Sequence, residues 1–567
     1  MLCLGLLFLP YSAFALDSTV GVVVSSEITN AMAHLQEPGY PLPYFISMNV
    51  SDVENWDSEC DMGALNWADN WRGRSLFTDV RVGSYALDNH LNPAPLGALG
   101  SWISLDDNAF ALKHDLWLSL DEAYKSAAAG FLRKEAQRVR NGKREYDTDD
   151  LSHEKPVVSA APFDVLDDGI SFFHQMNRIC REVSSVFAQK PSLIQGNVSV
   201  ERRRVLSRLY NSEGTRVHSA QDIFHFELEI AAVSKDGMRL YAGRNFISLS
   251  SATLPSSVLM KTQAKQMISE INQLLLASST SPFNAPALID PSVASAIVSS
   301  LGLNFSGESV RNPNGAQILR GKVGKIVFSR DLTLIDDPLA HFFKKKPLVG
   351  FYSYDAEGVK AQKVLLVKNG RLKNFLLSRY PVIGFPHSNG HARSDAGAYP
   401  RAMPSNLFLE TKHRYSQAQL MKILLKELRK EKKPYGLWIQ KTRAFTRENS
   451  AAGEESLRIM PELIYLVNAQ TGKLTLVRGL DLVGTPLGFL SHVLGEGKDM
   501  TVINHRIGWV PMSVIAPSLV LSQVELQRSK EPPVNPPILP PPPSPTHLSI
   551  RFRGPLVPWT GPPPAKN

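Results

Sequence analysis

Between Gly350 and Arg393 the chain reads GFYSYDAEGVKAQKVLLVKNGRLKNFLLSRYPVIGFPHSNGHAR. Two apolar runs, Lys363 to Val367 and Leu372 to Leu377, flank Asn369-Gly370. That dipeptide favours a two-residue hairpin more strongly than almost any other, because both positions accept positive φ. The stretch is therefore committed to antiparallel β structure. It is preceded by an Asp-x-Glu-Gly turn at Asp355–Gly358 and followed by the glycine-broken loop Ser388-Asn389-Gly390-His391-Ala392-Arg393.

Similar patterning organises the rest of the chain. Strands broken by loops fill residues 40 to 100, including Phe77 to Gly83. A long helix follows, with Leu116, Leu120, Tyr124, Ala127, Phe131 and Leu132 on one face. The polar stretch Asn141 to Lys155 reads as an exposed loop. A second helix carries the stripe Ile170, Phe173, Met176, Cys180, Val183, Phe187. Antiparallel strands come next, with a hairpin signal at Asp236-Gly237 inside FELEIAAVSKDGMRLYAG. A third helix places Val258, Ile268, Ile271, Leu274 and Leu275 at apolar positions. The small, polar, proline-terminated run Ala277 to Pro282 is the best domain boundary. Beyond it strands dominate, with one helix opened by a Ser416/Gln419 capping box and closed by Pro434.

Composition narrows the function classes. Hydrophobic residues make up 43% and charged residues 20% of the 567, enough to bury ordinary cores. The formal net charge of +9 is not concentrated. The densest basic run, Lys426 to Lys433, includes two glutamates and follows a helical apolar pattern, so it reads as a solvated helix face and not as a nucleic-acid interface. The segment MLCLGLLFLPYSAFA is apolar, too short to span a bilayer as a helix, and ends in Ala13-Phe14-Ala15. It reads as a signal peptide over residues 1–15, so the mature protein is expected to be exported, periplasmic or extracellular, with no transmembrane segment. Two cysteines then remain. Cys180, on its apolar stripe, reads as a buried inert thiol; a Cys60–Cys180 disulfide is open to it in an oxidising compartment, but nothing in the sequence argues for that pairing. Residues 531–567 hold 14 of the 39 prolines, so a packed element is excluded there and an extended tail expected.

Several pieces occur in an order that resembles the TldD/PmbA (TldE) proteins, a family of metal-dependent peptidases and their non-catalytic sister subunits. They include Pro43–Ser47, Val80–Tyr85 followed by Leu87-Asp88-Asn89, Asn211–Thr215, Leu334–Pro338, the Gly350–Arg393 stretch, Val477–Leu480 and Ser513–Leu519. The resemblance implies an α+β fold. An α/β N-terminal domain (residues 16–280) would precede a β-rich C-terminal domain (281–530) with a curved antiparallel sheet. It also implies that Ser388, Asn389, Gly390, His391 and Arg393 line a substrate cleft.

The catalytic members of that family hold zinc on two histidines of an HExxxH helix and a cysteine near the C-terminus, with the glutamate as base. The matching helix here is Ser295–Leu303, where Val298 and Leu303 replace the histidines and Ser299 the glutamate. No cysteine follows Cys180, and the region that would hold it reads Val502-Ile503-Asn504-His505-Arg506. The expectation is therefore no metal, no cofactor and no catalytic residue. The chain would be a non-catalytic, TldE-like subunit that binds unfolded peptide beside a TldD-like catalytic partner or a second copy of itself. Two rivals stay open: a zinc peptidase with rearranged ligands such as His387, His391 and His505, and an envelope peptide-binding or scaffold protein without a protease partner.

Overall fold

Four long antiparallel strands build the N-terminal half. In a computed structural model that describes residues 18–90, 97–141, 148–160, 169–312, 318–449, 455–535 and 537–544, β1 (Pro43–Asp61) pairs antiparallel with β2 (Ala64–Val82) and with β5 (Gln195–Asn211). On the far side of β5 lies β6 (Arg216–Val233), then β7 (Arg239–Ser248) through the hairpin at Asp236-Gly237. Shorter strands β3 (Ala98–Ile103) and β4 (Val158–Ala160) pair with β2 and β6. The even-numbered residues of β1 face four helices. Ile46, Met48 and Val50 pack on α1 (Thr19–His34) and α2 (Ala109–Asn141). At the other end Cys60, Val198, Val200 and Phe226 pack on α3 (Ile170–Ser184) and α4 (Ser257–Leu276). The odd-numbered residues, one pleat away, face the C-terminal half or solvent.

Two sheets form that half. Strands β10 (Leu332–Asp336), β13 (Val364–Lys368), β14 (Arg371–Leu372), β17 (Asn406–Thr411), β23 (Thr501–Ile507) and β24 (Val510–Ala516) stand in the order β14-β13-β10-β17-β24-β23. The second sheet contains β8 (Ser278–Ser279), β9 (Phe283–Ile289), β18 (Tyr435–Asn449), β19 (Glu455–Asn468), β20 (Leu474–Arg478), β21 (Leu480–Gly484), β22 (Val493–Glu496) and β25 (Leu519–Arg528). Its order, β18-β9-β25-β21-β19, is closed by direct pairing of β18 with β19, so the sheet curls on itself. Short ribbons β11 (Phe342–Phe343) with β12 (Lys346–Pro347), and β15 (Ala392–Arg393) with β16 (Arg401–Ala402), decorate it. Helix α5 (Pro291–Gly302) is buried from Val293 to Gly302 and sits in the middle of the largest core. Helix α6 (Gly307–Arg311) follows it, α7 (Gln417–Lys430) covers β9 from outside, and α8 (Pro486–Ser491) packs on β25. The molecule is thus α+β with a β-rich C-terminal part. No helix among the described residues is long and apolar enough to cross a membrane.

Local expectations fare unevenly. Asn369 and Gly370 take φ of 48° and 74°, as a two-residue hairpin turn requires, and the Ser416/Gln419 capping box is complete. Val258, placed on the apolar face of the third helix by periodicity, is 72% exposed. The stretch read as an exposed loop buries Asp150, Leu151 and Ser152. Cys180 is not a free thiol: it forms a disulfide with Cys60, with Cα atoms 5.8 Å apart, tying α3 to the end of β1. Ser278 and Ser279, within the expected boundary, pair as β8 with β20. The signal segment and most of the proline-rich tail lie outside the described residues.

Candidate functional site

The helix expected at Ser295–Leu303 is α5 and its short extension. Val298 is wholly buried, Ser299 is 3% exposed, and both sit in the apolar core. A zinc ion does not fit these residues, since neither valine nor leucine offers a donor and the serine is enclosed by hydrocarbon. The other histidines do not gather. The His387 side chain is 70% exposed, whereas His391 is fully buried with Nε2 3.6 Å from Asp336 Oδ1. Burial pushes the His505 imidazole down to about 4. Among the described residues no three His, Cys, Asp or Glu side chains are placed to hold a metal ion.

The loop Ser388–Arg393 turns inward. Asn389 accepts from the Leu377 amide at 2.8 Å and donates to the Phe375 carbonyl at 2.8 Å. Ser388 Oγ donates to the Leu377 carbonyl at 3.1 Å. Gly390 has φ of +71°, and a Cβ there would lie 2.4 Å from the Lys360 carbonyl oxygen, so this position needs glycine. Four of the five residues, Ser388, Asn389, Gly390 and His391, therefore brace the chain behind a surface. Arg393 alone lines a groove of about 450 Å³ between the two halves, donating to the Pro404 carbonyl at 2.7 Å beside Tyr352.

A larger cleft, of about 660 Å³, opens beside the first turn of α5. Ser292 in the first turn of α5 reaches it, as do Val502, Ile503 and Asn504 of β23. Glu227, Glu229 and Gly243–Ile247 supply the opposite wall. Both walls are sheet edges: among the described residues β7 pairs only with β6, and β23 only with β24. The direction of their main-chain groups follows from their neighbours. Ser513 donates its N–H to the Ser405 carbonyl at 3.0 Å, away from β23, and Pro511 opposite Arg506 has no N–H. Val502, Asn504 and Arg506 must then turn their N–H and C=O groups outward. On β7 the Gly243 N–H donates to Glu462 at 2.9 Å and the Ile247 carbonyl accepts from Asn504 Nδ2 at 3.4 Å. Asn245, between them, points its main chain at the cleft. The floor is ionic: Arg244 bonds Glu270 at 2.6 Å and Glu462 at 3.0 Å, and Lys441 donates to Glu270.

Several sequence pieces that marked the resemblance converge on a buried ionic junction between the halves. Arg81 binds Asp79 at 3.0 Å and Asp88 at 2.9 Å. Asp150 receives Lys134 at 2.5 Å and Arg311 of α6 at 2.6 Å. Arg379 grips Glu213 at 2.7 Å and the Ser152 carbonyl at 2.6 Å, while its amide donates to Glu357 at 2.6 Å. Burial alone would raise the Asp88 carboxyl, but Arg81 and Lys134 hold it below its ordinary value. Burial and then the neighbouring Asp355 charge push Glu357 up to about 8. The chemistry of this junction is that of a clamp. The cleft, by contrast, presents free main-chain donors and acceptors. Sequence reasoning missed this cleft: alternation in FELEI could have placed Glu227 and Glu229 on one face of β6, but no local signal announces that β23 stands across from β7.

Comparison with known proteins agrees with this architecture. Residues 282–528 match the model of the PmbA/TldA metallopeptidase C-terminal domain. A protein named metalloprotease from Methanothermobacter thermautotrophicus is 29% identical over 229 residues, 39% of this chain and 48% of that protein. Another of that name from Archaeoglobus fulgidus is 36% identical over 107 residues, 19% of this chain and 24% of its own length. The match thus spans about half, or less, of these relatives. The fold of TldE from Thermococcus kodakarensis superposes with a TM-score of 0.61 at 14% identity, covering 89% of this chain and 100% of that one. A protein described as a putative modulator of a DNA gyrase, from Thermotoga maritima, gives 0.60 at 14% identity, covering 88% and 100%.

Proposed function

Because this chain belongs to the TldD/PmbA family and is related to metallopeptidases, we propose that it serves proteolysis as a non-catalytic, TldE-like subunit that binds unfolded peptide. The observation that carries this reading is the cleft itself. Two strand edges, β7 and β23, that have no further strand partner among the described residues face each other across it, and α5, whose first turn reaches it, buries Val298 and Ser299 where a catalytic member would carry ligand and base. An extended peptide adds to such an edge through main-chain hydrogen bonds, largely independent of its sequence. The catalyst then belongs to a TldD-like partner, or the chain assembles with itself. The Cys60–Cys180 disulfide supports an exported protein, since such bonds persist in oxidising compartments.

Purified protein supplied with zinc and an unfolded peptide tests the reading. It should bind the peptide without cleaving it, and cleave only after a TldD-like subunit is added and co-purifies. Stoichiometric zinc with cleavage by the chain alone would mean a rearranged metallopeptidase. Peptide binding with no partner from the same genome would favour the scaffold.

A further inference from the structure

The short ribbon of β11 and β12 is closed by a two-residue turn, because Phe343 pairs with Lys346 and leaves only Lys344 and Lys345 between them. Both turn residues have positive φ, 46° and 66°. Asn-Gly suits that geometry, and the chain uses it for the equivalent turn at Asn369-Gly370, between the paired Lys368 and Arg371. Among the described residues no other adjacent pair at positive φ lacks a glycine. A lysine in this region sets its Cβ against the backbone, so local folding gives no reason for a Lys-Lys tip. The run continues into Lys346, which places three exposed ammonium groups in a row.

Those charges are available. Among the described residues none of the three lysines makes an ion pair, and the nearest acid in sequence, Asp337, is held by Lys363 at 3.4 Å. Lys344 only passes over the Phe343 ring, 5.2 Å from its centroid. The pleat sends the two phenylalanines opposite ways. Phe343 packs edge-on against Phe408 of β17 at 6.1 Å and anchors the ribbon on the body. Phe342 is 63% exposed, and Leu339, just before the ribbon, is 43% exposed. A cationic tip beside an uncovered aromatic ring matches a bilayer interface, where lysines meet anionic headgroups and an aromatic side chain enters among them. Size decides against a folded protein as the occupant. The tip offers five residues, Phe342 to Lys346, where a stable interface takes roughly 20–30 a side.

We infer that the β11–β12 tip docks on a membrane surface containing anionic phospholipid, with Lys344, Lys345 and Lys346 on the headgroups and the Phe342 ring at the interface. No part of this depends on the peptide-binding reading. Lys346 and Pro347 also line the cleft between β7 and β23, so a chain docked in this way holds the rim of that cleft at the bilayer. Each lysine near such a surface strengthens partitioning roughly fivefold, and salt screens the effect.

The test floats the full chain with vesicles of phosphatidylcholine alone, or with about one-third phosphatidylglycerol, at low and high salt. The chain should rise with the anionic vesicles at low salt and stay behind with the neutral ones. Lys344→Asn/Lys345→Gly should lower partitioning roughly 25-fold, two lysines at about fivefold each. Its melting temperature should stay level or rise, because Asn-Gly suits the turn. Phe342→Ser should weaken partitioning several-fold and leave its salt dependence unchanged. Lys422→Gln/Lys473→Gln, which removes the same charge elsewhere on the surface, should partition like the wild type. Equal flotation of the Lys344→Asn/Lys345→Gly variant and the wild type overturns the inference. An equal loss in the Lys422→Gln/Lys473→Gln variant also overturns it, because net charge alone would then bind. So does a wild type that ignores anionic vesicles but is retained by polyglutamate, which would assign the lysines to a soluble partner. None of these outcomes bears on peptide binding.

Discussion

Replacing Asp150 by alanine should destabilise the chain by about 3 kcal/mol or more. Asp150 is 3% exposed and its two oxygens separately hold Lys134 and Arg311, both nearly buried. Removing one partner of a buried pair leaves an uncompensated charge, at a cost of about 3–5 kcal/mol. The lower end applies here. Lys134 keeps the His90 carbonyl at 2.7 Å, and Arg311 keeps the carbonyls of Asp149 and Pro381, each at 2.9 Å. For domains of this size about 1 kcal/mol shifts the melting temperature by roughly 2–4 °C, so the variant should melt roughly 6–12 °C lower in differential scanning calorimetry. Arg311→Met completes a double-mutant cycle. With both groups gone Arg311 is no longer stranded, although Lys134 still lacks its carboxylate, so the double variant should be more stable than additivity predicts by about 1–3 kcal/mol. Because Arg311 belongs to the C-terminal half and Asp150 to the N-terminal half, the loss should also separate one melting transition into two. An Asp150→Ala variant melting with the wild type, or an additive cycle, would refute the claim that this junction clamps the halves.

Glu357, pushed up to about 8, holds its proton more tightly folded than unfolded. Its contribution is therefore whole below the ordinary glutamate value of 4.5 and shrinks as pH rises toward 8. Melting temperature should fall over that window in the wild type, and less steeply in Glu357→Gln; parallel curves would contradict the assignment. Reducing the Cys60–Cys180 bond, or replacing both cysteines by alanine, should cost about 2–4 kcal/mol. Urea unfolding with and without reductant measures it, and an intact mass without the loss of two hydrogens would show that the bond does not form.

How far the sequence could be read depended on whether the cause was local. Asn369-Gly370 and Ser416/Gln419 act within a few residues, through positive φ and reciprocal capping, and both turned out as expected. The helix α5 was equally readable from its own run of residues. Asp150 and Ser152 were misread as solvated since part of their polarity is satisfied by groups far away in sequence, Arg311 for Asp150 and Arg379 for Ser152. The same holds for Cys60 and Cys180, 120 residues apart. Of the loop Ser388–Arg393, the glycine hinted at close backbone approach, and that approach exists, but its partner is the Lys360 carbonyl of the protein itself. The cleft between β7 and β23 depends on strand order and on Pro511 and Ser513 setting edge direction, which only the assembled sheets reveal.

Amide hydrogen exchange with and without an unfolded peptide tests the central claim most directly. Open-edge main-chain groups should gain protection on binding, at Asn245 of β7 and at Val502, Asn504 and Arg506 of β23, while the intervening Ile503 and His505 change little. The peptide should be recovered intact. Protection confined to other strands, or cleavage of the peptide by the chain alone, would contradict the reading of this cleft as a peptide-binding site without a catalyst.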